Sequence, residues 1–185
     1  MKKKIAIGIL GATGVVGQNY LRLLADHPWF DIVDLAASSR SAGKTYEEAV
    51  GERWLMDSSM SDDYKNLVVR DVTDYAAIPA DVKIFFSATE LGDKQATRDF
   101  EFAYADQGYP IVSNSSANRW TPDVPMVIPE INGDHLEILH SQQRNRNFPD
   151  SGFVAVKPNC SVQSYLVAIH ALNQAGYPVE EILVN

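Results

Sequence analysis

The chain of 185 residues is 45% hydrophobic, enough to bury one good core with a piece of a second unit, and too apolar for a disordered protein. A formal net charge of -8 speaks against a nucleic-acid or membrane-surface protein, since both need a broad basic face, so any anion site has to be built locally. Its one cysteine, Cys160, allows neither an intrachain disulfide nor a cysteine-rich metal centre, and no metal ligand set is expected.

Lys2 to Lys4 precede an apolar stretch too short and too glycine-broken for a signal peptide or a membrane span, which predicts a cytoplasmic protein. Ile5, Ile7, Ile9 and Leu10 then read as a strand covered on both faces. Gly11, Gly14 and Gly17 follow at three-residue spacing: Gly11 for a sharp turn, Gly14 for close approach of a ligand, Gly17 for packing of a helix on the sheet. A helix starting near Val15 would aim free N–H groups and its positive dipole end at an anion such as a pyrophosphate. The plainer alternative is a turn that only packs the helix. Dinucleotide binding is favoured because an apolar strand precedes the glycines and an amphipathic helix follows them, with Val16, Tyr20, Leu23 and Leu24 on one face. That helix stops at Asp26-His27-Pro28.

Ile32 to Ala37 is a second strand, ending in Ser38-Ser39-Arg40-Ser41-Ala42-Gly43-Lys44. An NAD site would place an acid near this point to bind the ribose hydroxyls; hydroxyls beside Arg40 and Lys44 suit the 2′-phosphate of NADP. A solvated loop is the alternative, and Asp34 would favour NAD were the strand to end earlier. Tyr46 to Asp63 reads as an irregular surface excursion in which Trp54 and Met56 are packing residues. Leu67 to Val69 is a short strand and Val82 to Ala88 a longer one, ending at Thr89-Glu90-Leu91-Gly92. Asp93 caps a helix with Ala96, Phe100 and Ala103 on its inner face, broken at Gly108-Tyr109-Pro110.

Ile111-Val112 starts another strand, followed by Ser113 to Arg119. Pro122 and Pro125 bracket a turn into Met126-Val127-Ile128, and His135 to Arg146 is helical. Phe153 to Val156 is the last clear strand before Pro158-Asn159-Cys160-Ser161. A helix then buries Val162, Leu166, Ile169 and Leu172, and Ile182 to Val184 begins a new strand whose end at Asn185 looks severed.

Alternating strands and helices predict an α/β protein with a Rossmann-like, doubly wound, mostly parallel sheet over residues 1–160. Residues 161–185 read as the active-site helix and first strand of an incomplete catalytic or dimerisation domain. The polar clusters at Gly11 to Gly17, Ser38 to Lys44, Thr89 to Gly92, Asn114 to Arg119 and Asn159 to Gln163 all sit at carboxyl ends of strands, where such sheets bind ligands. Cys160 stands between a strand end and a helix start, where dipole and free N–H groups favour the thiolate and, with Asn159, offer an oxyanion site. A lone cysteine is otherwise a small buried hydrophobe. A thiol beside a nicotinamide suits aldehyde oxidation through a thioester. Arg119 on the same edge suits a phosphate or carboxylate, or else a surface salt bridge.

Gly-Ala-Thr-Gly-Val-Val-Gly at 11–17, Ser-Ser-Arg-Ser-Ala-Gly-Lys at 38–44, Ser-Asn-Ser-Ser-Ala-Asn-Arg at 113–119, Val-Ile-Pro-Glu-Ile-Asn at 127–132 and Pro-Asn-Cys-Ser at 158–161 together resemble aspartate-semialdehyde dehydrogenases, in the archaeal and fungal form. The resemblance implies NADP- and phosphate-dependent interconversion of L-aspartate 4-semialdehyde and L-4-aspartyl phosphate, on the way to lysine, threonine and methionine. It implies Cys160 as acyl-thioester nucleophile, Asn159 beside it in the oxyanion site, and Arg119 with Asn118 on the phosphate. It further places Gly11, Thr13, Gly14, Val15, Val16, Gly17 and Thr89 on the dinucleotide and Ser39, Arg40, Ser41 and Lys44 around the 2′-phosphate. The family's general-base histidine and carboxylate-binding arginine belong to a second domain, and His27, His135, His140 and His170 match no such position. The chain is therefore expected to be an N-terminal piece that binds NADP without turnover, from an enzyme that is a homo-oligomer. N-acetylglutamyl-phosphate reductase and malonyl-CoA reductase share the layout, and a non-catalytic NADP-binding sensor is the remaining alternative.

Overall fold

Six strands make one parallel sheet: β1 (Ile5–Leu10), β2 (Phe30–Ala37), β3 (Val69–Asp71), β4 (Ile84–Ser87), β5 (Pro110–Ser113) and β6 (Phe153–Val156), in the order β3-β2-β1-β4-β5-β6. The computed structural model describes residues 3–184, so Lys2 and Asn185 lie outside the described residues. From β1 the chain winds outward to β3, returns across the sheet, and winds the other way from β4. The reversal leaves a crevice between the carboxyl ends of β1 and β4, where a doubly wound sheet binds its ligand.

Alternation along β1 sends Ile7 and Ile9 to one face and Leu10 to the other, and each face has its own apolar layer. Helix α1 (Val15–Leu24) lies over the first with Leu21, joined by Tyr46 from α2 (Tyr46–Val50) and Tyr64 from α3 (Asp62–Lys65). Helix α4 (Lys94–Asp106) covers the second with Phe100 and Tyr104 packed on Phe85 and Ile111. The edge strand β6 is protected from other chains: Val127, just before the short α5 (Pro129–Asn132), donates to its Val156 carbonyl at 2.9 Å, and the buried Gln142 of α6 (Leu139–Arg146) bonds both backbone groups of Val154.

The segment from Tyr46 to Asp63 is not a surface excursion. Thr45 and Glu48 close a capping box on α2, Tyr46 is fully buried, and its hydroxyl donates to the Ala12 carbonyl at 2.9 Å. Gln18 of α1 adds a second tie, accepting from Leu55 N–H at 2.9 Å and donating to the Arg53 carbonyl at 2.9 Å. Trp54 packs at the margin of the same core.

The inner face of α4 is rotated from the apolar pattern: Thr97, Phe100, Glu101, Tyr104 and Ala105 are buried, because polar groups on the sheet recruit Glu101 and Tyr104 inward. The strand expected over Leu67 to Val69 starts at Val69, with Val68 in an isolated antiparallel bridge to Thr45. Met126 makes only a bridge to Val156, so Met126 to Ile128 forms no strand. His135 lies in a 3-10 turn that runs into α6. Helix α7 (Cys160–Gln174) has no fully buried residue: Val162, Leu166 and Ile169 are only half-buried and Leu172 is exposed. Ile182 to Val184 form no strand, having no partner strand in reach among those residues.

Candidate functional site

The five polar clusters do meet along the carboxyl edge of the sheet. At the crevice, Gly11 has φ +76°, and a Cβ there would lie 2.8 Å from the Ala88 carbonyl oxygen. A Cβ on Gly17 would lie 2.3 Å from the Gly11 carbonyl oxygen, so helix and turn meet backbone to backbone. Gly14 caps α1 without a side chain, and the first helical bond runs from Gln18 N–H to the Gly14 carbonyl. Val15, Val16 and Gly17 therefore present N–H groups with no helical partner, beside half-exposed Val15 and Val16 side chains.

A hollow at this point is lined by Gly11, Thr13, Gly14, Ala37, Ser38 and Thr89. Thr89 is buried and its hydroxyl has no hydrogen-bond partner, which a buried polar group rarely tolerates. A dinucleotide fits these features: anion-seeking N–H groups, a glycine surface and an orphaned hydroxyl. A second hollow shares Glu90 and Leu91 with the first and runs on to Ser115 and Ser116 at the end of β5. On the other side, Ser39, Arg40 and Lys44 are exposed on the turn after β2. Ser41 in that turn is buried, unlike its three exposed neighbours.

Asp34 is not free to hold a ribose. It is buried in a two-pronged ion pair with Arg70, at 2.8 and 3.2 Å, and Arg70 also bonds the Tyr104 hydroxyl. Burial opposes the Arg70 charge, but Asp34 and Tyr104 outweigh it and raise its pKa. The acid stands three residues inside β2, so the strand does not end early.

Asn118 is also occupied elsewhere. It is fully buried, its amide donates to Glu101 Oε2 at 2.9 Å, and its oxygen accepts from Thr121. Sequence reading missed Glu101, the hub of this loop, which accepts from Ser87 at 2.9 Å and Ser113 at 2.5 Å. It fastens the ends of β4 and β5 and the turn carrying Arg119. Burial holds its carboxyl above the ordinary glutamate value of 4.5, against Ser113, Asn118 and Ser87, which favour the charged form. Between 4.5 and the raised value the native chain binds more protons than the unfolded one, so stability falls as pH rises through that window. Glu101→Gln removes the titration and sets amide against amide at Asn118, costing about 1–3 kcal/mol. Urea midpoints across the window should fall with pH in the wild type and start lower but stay flatter in the variant.

At the far end of the edge, Cys160 is the first residue of α7 and is exposed. Its sulfur lies 3.7 Å from Asn159 Oδ1, which caps the helix by accepting from Ser161 N–H at 2.9 Å. With its oxygen so engaged, Asn159 has only its Nδ2 donors to offer an oxyanion. Arg119 joins the ends of β5 and β6, donating through Nε to the Lys157 carbonyl at 3.1 Å and through Nη2 to the Asn114 carbonyl at 3.3 Å. Lys157 is a second half-buried cation beside it, absent from the sequence reading because a lone lysine carries no pattern. His27 stacks on Phe30 at the opposite end of the sheet, and the exposed His135 has its Nδ1 3.2 Å from the Met126 carbonyl oxygen.

The family model described as semialdehyde dehydrogenase, NAD binding domain, matches residues 6–139. An aspartate-semialdehyde dehydrogenase from Methanothermobacter thermautotrophicus is 39% identical over 98% of the chain and 49% of its own length. One from Aspergillus fumigatus is 38% identical over 99% of the chain and 48% of its own length. A crystal structure of aspartate semialdehyde dehydrogenase with NADP from Candida albicans superposes with a TM-score of 0.77 at 30% identity, over 95% of this chain and 48% of that one. The chain thus spans about half the length of the curated relatives it matches. No helix among the described residues is long and apolar enough to cross a membrane.

Proposed function

Because the chain belongs to the semialdehyde dehydrogenase family, through its NAD-binding domain, we propose that it serves NADP- and phosphate-dependent interconversion of L-aspartate 4-semialdehyde and L-4-aspartyl phosphate. The observation that carries this reading is the exposed Cys160 at the start of α7, on the same sheet edge as the glycine turn and its orphaned Thr89 hydroxyl. Cys160 adds to the aldehyde carbon through sulfur. The N–H groups opening α7 and the Asn159 amide steady the oxygen that becomes negative. Were a dinucleotide held on the Gly11 to Gly17 turn beside Thr89, its nicotinamide would supply the acceptor for the hydride that leaves that carbon. Arg119 then holds phosphate for attack on the thioester carbon; the carbon–sulfur bond breaks, sulfur departs as thiolate, and acyl phosphate is released.

Gly11, Gly14, Val15 and Val16 receive the pyrophosphate on this reading, with Arg40 and Lys44 on the 2′-phosphate. NADPH is therefore expected to bind this chain about tenfold or more tightly than NADH, and the Arg40→Ala, Lys44→Ala pair to erase the difference without weakening NADH. Fluorescence titration measures both. Equal affinities in the wild type would remove NADP from the reading. Phosphate-dependent NADPH formation by an enzyme of the relatives' full length that carries this chain, compared between L-aspartate 4-semialdehyde and the aldehydes of the N-acetylglutamyl-phosphate and malonyl-CoA reductases, fixes the substrate.

A further inference from the structure

Arg119 and Lys157 are neighbouring cations, each anchored by backbone carbonyls rather than by an acid. Lys157 Nζ donates to the Pro158 carbonyl at 3.3 Å, and the Lys157 carbonyl takes Arg119 Nε at 3.1 Å. Among the described residues neither is within ion-pair distance of a carboxylate; the ion pairs there are Lys65 with Asp62, Arg70 with Asp34, and Arg146 with Asp123. In a chain of net charge -8, two adjacent half-buried cations without a counter-charge form an arrangement that lacks its anion. Loss of water and repulsion from Arg119 lower the Lys157 pKa, partly offset by Cys160, so an anion seated here would relieve both. Arg119 Nη1 and the remaining Lys157 protons bond nothing among the described residues.

We propose that Lys157 and Arg119 together form a two-cation seat for a tetrahedral dianion, inorganic phosphate, beside the Cys160 sulfur. Lys157 is thereby a substrate-binding residue: it shares the phosphate charge with Arg119 and holds an oxygen where it meets the thioester carbon. The inference rests on the reading of Cys160 as nucleophile and Arg119 as phosphate ligand, and adds a ligand residue to it.

The test follows alkylation of Cys160 by iodoacetamide at increasing inorganic phosphate, in the wild-type chain and in Lys157→Met and Lys157→Arg. Phosphate should protect the wild-type thiol saturably. Lys157→Met should raise the half-protecting concentration roughly tenfold, and Lys157→Arg should restore much of it. Lys157→Met should also lower the rate of anionic iodoacetate relative to neutral iodoacetamide. Unchanged protection and an unchanged rate ratio in Lys157→Met overturn the inference, as does a wild-type thiol that reacts readily but is indifferent to phosphate. If wild-type Cys160 reacts only after unfolding, the nucleophile reading fails instead; broadening of the phosphate ³¹P signal then tests the seat by itself, and equal broadening by wild type and Lys157→Met overturns it.

Discussion

In an enzyme of the relatives' full length that carries this chain, replacing Cys160 with serine is expected to lower phosphate-dependent NADPH formation by about 10³-fold or more while leaving NADPH affinity unchanged. The substitution keeps the side chain's shape and removes the soft, easily ionised sulfur. It should not disturb α7, because the cap is made by Asn159 to the N–H and hydroxyl of Ser161, and Cys160 is exposed. Nor should it reach the crevice, which is built after β1 and β4. Initial rates paired with a fluorescence titration separate the two effects. A variant that keeps its rate would show that chemistry does not pass through this sulfur; one that loses rate and cofactor together would mean that the helix start has collapsed.

Asp34→Ala should cost about 3–5 kcal/mol of unfolding free energy, because it leaves the Arg70 guanidinium buried without its carboxylate. Arg70 keeps bonds to the Asp71 and Asp74 carbonyls and to the Tyr104 hydroxyl, but these are dipoles facing a full charge. Replacing both partners, Asp34→Leu with Arg70→Met, should cost less than Asp34→Ala alone, since no unpaired charge remains. Urea denaturation of the variants reads both values. The ratio of NADPH to NADH affinity should stay where it is in Asp34→Ala, since the carboxylate lies inside the ion pair and not at the crevice. A stable variant with a shifted ratio would put Asp34 at the ribose.

What could be read from the sequence is what is local in it. The run from Ile5 to Leu10, the glycines after it and the apolar helix face are contiguous signals, and the alternation of strands with helices places the other clusters on one edge. What could not be read is held by partners far along the chain. Tyr46 reaches Ala12 across 34 residues, Gln18 reaches Leu55 across 37, and Asp34 meets Arg70 across 36. Glu101 and Asn118 follow the same logic: one carries no local signal and the other reads as a ligand contact, yet they satisfy each other inside the protein. Thr45 and Glu48 did carry a local signature, the capping box, that marks α2 in what otherwise looks like loop. Leu172 errs in the opposite direction, since periodicity predicts a buried face whether or not anything covers it.

A crystal of this chain soaked with NADP tests most directly whether cofactor and sulfur share one site. The pyrophosphate should lie on the N–H groups of Val15 and Val16, the 2′-phosphate within hydrogen-bond reach of Arg40 or Lys44, and the nicotinamide on the Thr89 side, turned toward Cys160. A dinucleotide lying away from the Gly11 turn, or one whose nicotinamide points to the β3 edge, would contradict it.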